Sequence, residues 1–215
     1  YWDREVRLDG VTSRKQALEM IATKARNSKP GEWVLVMGAA GGLGSAGVQV
    51  AKYLGAKVIA CASSDEKLAV CRAHGADETI NYDREDMRAR VKAITGGNGV
   101  DVVYDPVGGA YSELALRDMA WGGRFLVIGF AAGDIPKIPL NLPLIKGCSI
   151  VGVWIGAFAK RERAKHRANA DALWKWFAEG TIKPYASTMF PLEQASDALN
   201  ALIARKVAGK VVLTT

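Results

Sequence analysis

Five apolar residues, Trp33-Val34-Leu35-Val36-Met37, run straight into Gly38-Ala39-Ala40-Gly41-Gly42-Leu43-Gly44, after which helical periodicity holds from Leu43 to Leu54. Few folds accommodate that order. A short stretch without polar alternation suits a strand covered on both faces of a parallel sheet. Glycines between such a strand and a helix permit a tight turn and a close approach of backbone to whatever lies above it. Where the neighbour is a diphosphate, the exposed amide hydrogens and the helix dipole hold it. The glycines alone are a weak sign. The strand before them, the helix after them and a second apolar strand at Lys57-Val58-Ile59-Ala60-Cys61 make the segment a dinucleotide-binding turn.

The alternation of strand and helix continues. Ser63-x-x-Glu66 has the form of a capping box for a helix ending near Gly75, Glu78 to Asn81 is a short strand, and Arg84 to Ile94 a helix. Val100 to Tyr104 is a strand, Tyr111 to about Met119 a helix and Arg124 to Ile128 a strand. A proline-rich crossover at 134–143 leads to a strand at Cys148 to Val153. About six strands joined through helices predict an α/β fold with a doubly wound parallel sheet, because each parallel connection needs a crossover to bring the chain back to the same end. Upstream, Ser13-x-x-Gln16 caps a predicted helix from Ser13 to about Asn27, ended by Pro30-Gly31. Downstream, Phe158 to Gly180 and Leu192 to Arg205 read as helices and Gly209 to Leu213 as a last strand. The organisation expected is an N-terminal extension over 1–29, a dinucleotide-binding core over 30–157, and C-terminal helices with a strand over 158–215.

Composition narrows the function classes. Hydrophobic residues make up 49% and charged residues 24% of the 215, the balance of a soluble globular chain. The longest apolar run, Cys148 to Ala159, falls short of the ~20 residues that span a bilayer, and the first residues show no signal peptide. Cys61, Cys71 and Cys148, with His74 and His166, match neither a disulfide framework nor zinc-ligand spacing, so no metal and a cytoplasmic location are expected. The net charge of +7 is dispersed among acidic neighbours, which argues against nucleic acid as a partner. The run Lys160 to Arg167 is the best support for an RNA-associating or dinucleotide-sensing module as a non-enzymatic alternative.

The end of the second strand selects the dinucleotide. Sites for NAD place Asp or Glu about 20 residues past the glycines to take the ribose 2′-hydroxyl, and that carboxylate repels a 2′-phosphate. Here the position holds Ala62-Ser63-Ser64, with Lys67 one turn on, which favours NADPH over NADH. The alternative is that Ser63 merely caps a helix and Lys67 is a surface residue. Asp65 and Glu66 add negative charge nearby.

Together the segments Pro30-Gly31-Glu32-Trp33, Gly38 to Gly44, Cys71 to Ala76, Ile80-Asn81-Tyr82, Asp101-Val102-Val103-Tyr104-Asp105-Pro106-Val107-Gly108-Gly109 and Gly209-Lys210-Val211-Val212-Leu213 resemble, in order and spacing, the zinc-independent medium-chain reductases of the quinone oxidoreductase and zeta-crystallin type. The resemblance implies that Ala40, Gly41, Gly42, Leu43 and Gly44 hold the pyrophosphate and that Ser63, Lys67 and Tyr82 surround the 2′-phosphate. It also implies that Pro106 and Val107 lie near the adenosine, that Ile128, Gly129 and Ala131 line the nicotinamide side, and that Arg205 reaches in from the C-terminal helix. The implied chemistry is hydride transfer from C4 of NADPH to a quinone or to an alkene conjugated with a carbonyl. No residue stands out as a catalytic proton donor. Members of the family begin with a GroES-like domain that has no counterpart before Pro30, so the chain is expected to lack full activity alone. Two other enzyme classes stay open, a zinc-type alcohol dehydrogenase relative and a short-chain reductase. Tyr53-Leu54-Gly55-Ala56-Lys57 spells the short-chain Tyr-x-x-x-Lys pair, but at the end of the first crossover helix, away from where that chemistry needs it. The apolar Ser149 to Ile155 stretch, if a sheet edge, would invite a homodimer.

Overall fold

The computed structural model describes residues 31–205 and 207–215; the helix predicted from Ser13 to Asn27 lies outside them. Strands β1 (Trp33–Val36), β2 (Lys57–Ala62), β3 (Glu78–Asn81), β4 (Val100–Asp105), β5 (Met119–Val127) and β6 (Ser149–Gly152) form one six-stranded sheet in the order β3-β2-β1-β4-β5-β6. Every neighbouring pair is parallel. The crossovers carry α1 (Gly42–Tyr53), α2 (Asp65–Ala73), α3 (Met87–Ile94), α4 (Ala110–Arg117) and α5 (Asn141–Lys146).

The apolar runs of β1 and β2 are uninterrupted because both faces of the sheet are covered. On one face Leu35, Met37, Ile59, Cys61, Ile80 and Val103 pack with Met87, Val91, Leu116 and Leu142. On the other, Val36, Val58, Ala60 and Ala62 pack with Val48 of α1 and Leu68 and Cys71 of α2. Each aliphatic side chain fully removed from water contributes about 1.5–3 kcal/mol, so the central strands anchor the loops at their ends.

Beyond β6 come α6 (Ile155–Arg161), α7 (Arg163–Ala178), β7 (Ala186–Pro191), a 3-10 turn (Leu192–Gln194), α8 (Ala195–Ile203) and β8 (Lys210–Thr214). Among the described residues no helix is long and apolar enough to cross a membrane.

Three sequence expectations are corrected. The helix expected over Phe158 to Gly180 is two helices, divided at Glu162, whose φ of −118° and ψ of 46° leave the helical region. The amides of Glu162 and His166 still reach the carbonyls of Phe158 and Glu162, so the break is a one-residue kink with no glycine or proline to announce it. The helix expected from Arg84 begins at Met87, because the Asp86 side chain accepts from the Arg88 and Ala89 amides and starts it there. The capping residue of α2 is Ser64 and not Ser63, with the Lys67 amide donating to its Oγ at 3.4 Å. The last strand expected from the sequence is present and belongs to a small sheet of its own. β8 pairs in parallel with β7, a strand the sequence did not announce.

This small sheet is tied back to the first crossover. The Gly209 amide donates to the Ala40 carbonyl at 2.6 Å, and Gly209 bridges Gly41. The Gln49 side chain of α1 bonds Lys183 in both directions, accepting from its amide at 2.7 Å and donating to its carbonyl at 3.0 Å. The Tyr53 and Trp176 rings sit 4.3 Å apart.

Candidate functional site

The strand order reverses between β1 and β4, and in open parallel sheets ligands bind at such a switch point, outside the carboxyl ends of the strands. The residues assigned to the dinucleotide lie on the loops and helix starts at that end or on the segment docked there.

The glycine turn follows β1. Its Ala39 amide donates to Cys61 of β2 at 2.9 Å and its Gly41 amide to the Gly38 carbonyl at 2.9 Å. Gly38 has a φ of +57° and is pressed by Val107, whose Cγ2 would stand 2.7 Å from an added Cβ. Gly44 lies inside the turn, where an added Cβ would overlap the Gly38 carbonyl oxygen and come within 2.6 Å of Ala39 Cα. Helix α1 therefore starts hard against the strand it follows. Its N-cap, Gly41, has no side chain to cap the helix, so the first-turn amides face outward at the positive end of the dipole. Ala40 and Gly44 are buried, Gly41 and Gly42 half-buried, and Leu43 is 53% exposed. The side chain over Gly42 is that of Lys210, whose Nζ would lie 3.0 Å from a Cβ there.

At the end of β2, the Lys67 ammonium donates to Ser63 Oγ at 3.2 Å and to the Arg205 carbonyl at 2.8 Å. Tyr82, just past β3, shares a hydrogen bond with the Ser63 hydroxyl; burial pushes its phenol above the ordinary value, and that bond partly offsets the shift. Its ring lies 4.6 Å from that of Tyr111. Ser63, Lys67, Tyr82 and Arg205 thus form one polar cluster on the β2 side of the glycine turn. With Ser64 doing the capping, the Ser63 hydroxyl is left to the Lys67 ammonium and Tyr82.

On the other side, β4 ends at Asp105, a buried carboxylate that accepts from the Val107 and Gly108 amides at 2.9 Å each and from the Ser112 hydroxyl at 2.6 Å. These bonds fix the turn carrying Pro106 and Val107. The next loop is laced to it: Ile128 and Gly129 donate to the Asp105 carbonyl and Ala131 to that of Pro106. Pro106, Val107, Ile128, Gly129 and Ala131 therefore form a second group, across the switch point from the first.

Lys210 escaped the sequence analysis. Gly209-Lys210 stood there as the start of a strand and as part of a segment that carries the family resemblance, and nothing local says that this strand returns to the first crossover. No reactive thiol lies in the site, since burial pushes Cys61 well above the usual thiol range and Cys71 to about 11. Among the described residues no group of three or more His, Cys, Asp and Glu side chains could hold a metal ion.

Residues 42–173 match the sequence model of the zinc-binding dehydrogenase family. The quinone oxidoreductase-like protein 2 homolog of Nematostella vectensis is 42% identical over 191 residues, covering 88% of this chain and 52% of that protein. The structure of Escherichia coli quinone oxidoreductase complexed with NADPH superposes with a TM-score of 0.79 at 32% identity, over 87% of this chain and 58% of that one. An NAD-dependent alcohol dehydrogenase superposes with a TM-score of 0.77 at 35% identity, over 88% and 52% of the two chains. The chain spans about half the length of the curated relatives it matches.

Proposed function

Because this chain belongs to the medium-chain dehydrogenase/reductase superfamily, as the cofactor-binding part of a quinone oxidoreductase-like member, we propose that it holds NADPH for hydride transfer to a quinone or an α,β-unsaturated carbonyl. The observation that carries the proposal is the Ser63, Lys67, Tyr82 and Arg205 cluster beside a glycine turn backed by an uncapped helix N-terminus. Bound there, NADPH supplies a hydride from nicotinamide C4, and the protein supplies position and electrostatics.

In this proposal the first-turn amides of Gly42, Leu43 and Gly44 and the Lys210 ammonium hold the diphosphate, with Ala40 and Gly41 shaping the turn beneath it. The polar cluster takes the 2′-phosphate through charge-assisted hydrogen bonds. The Pro106-Val107 turn supports the adenosine, and Ile128, Gly129 and Ala131 screen the nicotinamide from water. Residues 30–157 serve as the dinucleotide core, and 158–215 bring Arg205 and Lys210 to it. The rest of the substrate pocket belongs to protein beyond this chain, and the cytoplasm is the proposed compartment.

NADH is the competing cofactor, favoured by the NAD-dependent structural relative and by Asp65 and Glu66 near the cluster. Titration of the purified protein, followed by nicotinamide fluorescence, decides between them. NADPH is expected to bind at least about tenfold more tightly, as one charge-assisted contact of ~1.5 kcal/mol requires. Equal affinities would remove the preference, and binding of neither would remove the site. Lys210→Ala is expected to weaken both dinucleotides alike, by about fivefold for a partly screened charge of ~1 kcal/mol, because both carry the diphosphate.

A second copy of the chain is the proposed partner at β6. This strand is the edge of the six-stranded sheet, and Ile150, Val151, Val153 and Trp154 are exposed along it and its exit. Unpaired edges of that character add strands readily. Sedimentation is expected to give a dimer that Val151→Lys dissociates; a parent chain that stays monomeric at high concentration would refute the pairing.

A further inference from the structure

We infer that Arg84 is a positioning residue for dinucleotide choice, acting by holding the Asp65 carboxylate out of the 2′-phosphate cluster; the proposed dinucleotide site is the premise. Asp65 is the first residue of α2, two positions past Ser63, and is the acid nearest in sequence to the place where NAD sites bind the ribose 2′-hydroxyl. A free carboxylate there would work against the lysine-and-hydroxyl cluster beside it.

Both oxygens of Asp65 are instead engaged with the turn that follows β3. The Asn81 side-chain amide donates to Oδ1 at 2.8 Å, and the Arg84 guanidinium donates to Oδ2 at 3.0 Å. Asn81 cannot follow a moving partner. It is buried, paired in register with Ala62 of β2, its backbone amide is bonded to Glu85 at 2.7 Å, and its side-chain oxygen accepts from the Asp83 amide. The next residue, Tyr82, reaches Ser63. One short turn, 81–84, therefore supplies both a wall of the phosphate cluster and the clamp on Asp65. Of the other acids nearby, Asp83 faces the Tyr82 phenol, and Glu66 has its carboxyl held below the usual range by the Ser64 hydroxyl and its own amide, with a smaller pull from Arg84.

The consequence is electrostatic. Paired, Asp65 and Arg84 present no net charge to an arriving 2′-phosphate. Without the guanidinium one negative charge remains at the rim, where it repels the phosphate and can accept from a ribose hydroxyl. The pair is exposed, with side-chain accessibilities of 73% and 64%, so it adds little to folding, and its effect is to be read in the ratio of dinucleotide affinities.

The test is a double-mutant cycle on the NADPH and NADH dissociation constants in dilute buffer. Arg84→Ala is expected to reduce the preference for NADPH about threefold to fivefold, the size of one partly screened charge several ångströms away. Asp65→Asn should not reduce the preference, and the double variant should recover the parent ratio. The loss should shrink as salt shortens the Debye length from about 10 Å at 0.1 M toward 3 Å at 1 M. An unchanged ratio in Arg84→Ala, or a loss that persists in the double variant, would overturn the inference while leaving the site standing. A parent protein with no NADPH preference would instead bring down the phosphate cluster, and this inference with it.

Discussion

Gly44→Ala is expected to destabilise the fold by about 2–4 kcal/mol and to abolish measurable dinucleotide binding. Two effects oppose each other at this position. Gly44 lies in the first turn of α1, and inside a helix alanine is favoured over glycine by ~1 kcal/mol. Against that, the new Cβ would overlap the Gly38 carbonyl oxygen and stand 2.6 Å and 2.8 Å from Ala39 Cα and carbonyl carbon. Every one of those atoms is backbone, so no rotamer change relieves the clash. Nor can the turn back away easily, because the Ala39 amide is bonded to Cys61 and the Met37 amide to Tyr104, one on each side of β1. Overpacking typically costs ~1–3 kcal/mol even where side chains can shift, so sterics win over propensity. A chain of this length loses about 2–4 °C of melting temperature per kcal/mol, and scanning fluorimetry should register a fall of roughly 5–15 °C. Gly42→Ala is the control, since its Cβ meets only the flexible end of Lys210. It should melt with the parent while binding both dinucleotides more weakly. A Gly44→Ala variant that melts with the parent would refute the tight seating of α1 on β1.

How much of this was legible in the sequence follows from the range of the interactions. β1 and β2 could be read because burial on both faces leaves no polar residue in them, and the glycine turn could be read because its strand and helix adjoin it. The capping serine could not be placed to the residue. Ser63 and Ser64 stand in tandem, and Ser63-x-x-Glu66 is the better local pattern, yet β2 stays paired through Ala62 with Asn81 and leaves capping to Ser64. β7 was hidden because its side chains are exposed or half-buried and its partner, β8, lies beyond an intervening helix. Lys210 over Gly42 and Arg84 on Asp65 depend on contacts between distant segments, which periodicity does not encode. The resemblance to the family grouped Ser63, Lys67 and Tyr82 and had Arg205 only as a separate contact from the C-terminal helix; the structure brings Arg205 to the same group, where the Lys67 ammonium joins the Ser63 hydroxyl to the Arg205 backbone.

That junction carries the prediction with the largest effect on specificity. Lys67→Ala is expected to weaken NADPH about tenfold to a hundredfold while changing NADH less than about threefold, since a charge-assisted hydrogen bond is worth ~1.5–3 kcal/mol and only NADPH has the 2′-phosphate to receive it. Fluorescence titration of each dinucleotide measures the two effects. Equal losses for both would show that Lys67 serves the fold or the diphosphate, and the cluster would lose its proposed role. Arg205 provides an independent check, because here stability and binding should move in opposite directions. It follows α8, where a left-handed residue usually is glycine, and among the described residues it is the one non-glycine with positive φ, at 53°. Holding a side chain in that region costs on the order of 1 kcal/mol. Arg205→Gly removes both the cost and the cation, so the melting temperature should hold or rise by about 2–4 °C while the preference for NADPH falls. A variant that melts no lower than the parent and keeps the full preference for NADPH would show that the guanidinium has no part in the proposed phosphate cluster.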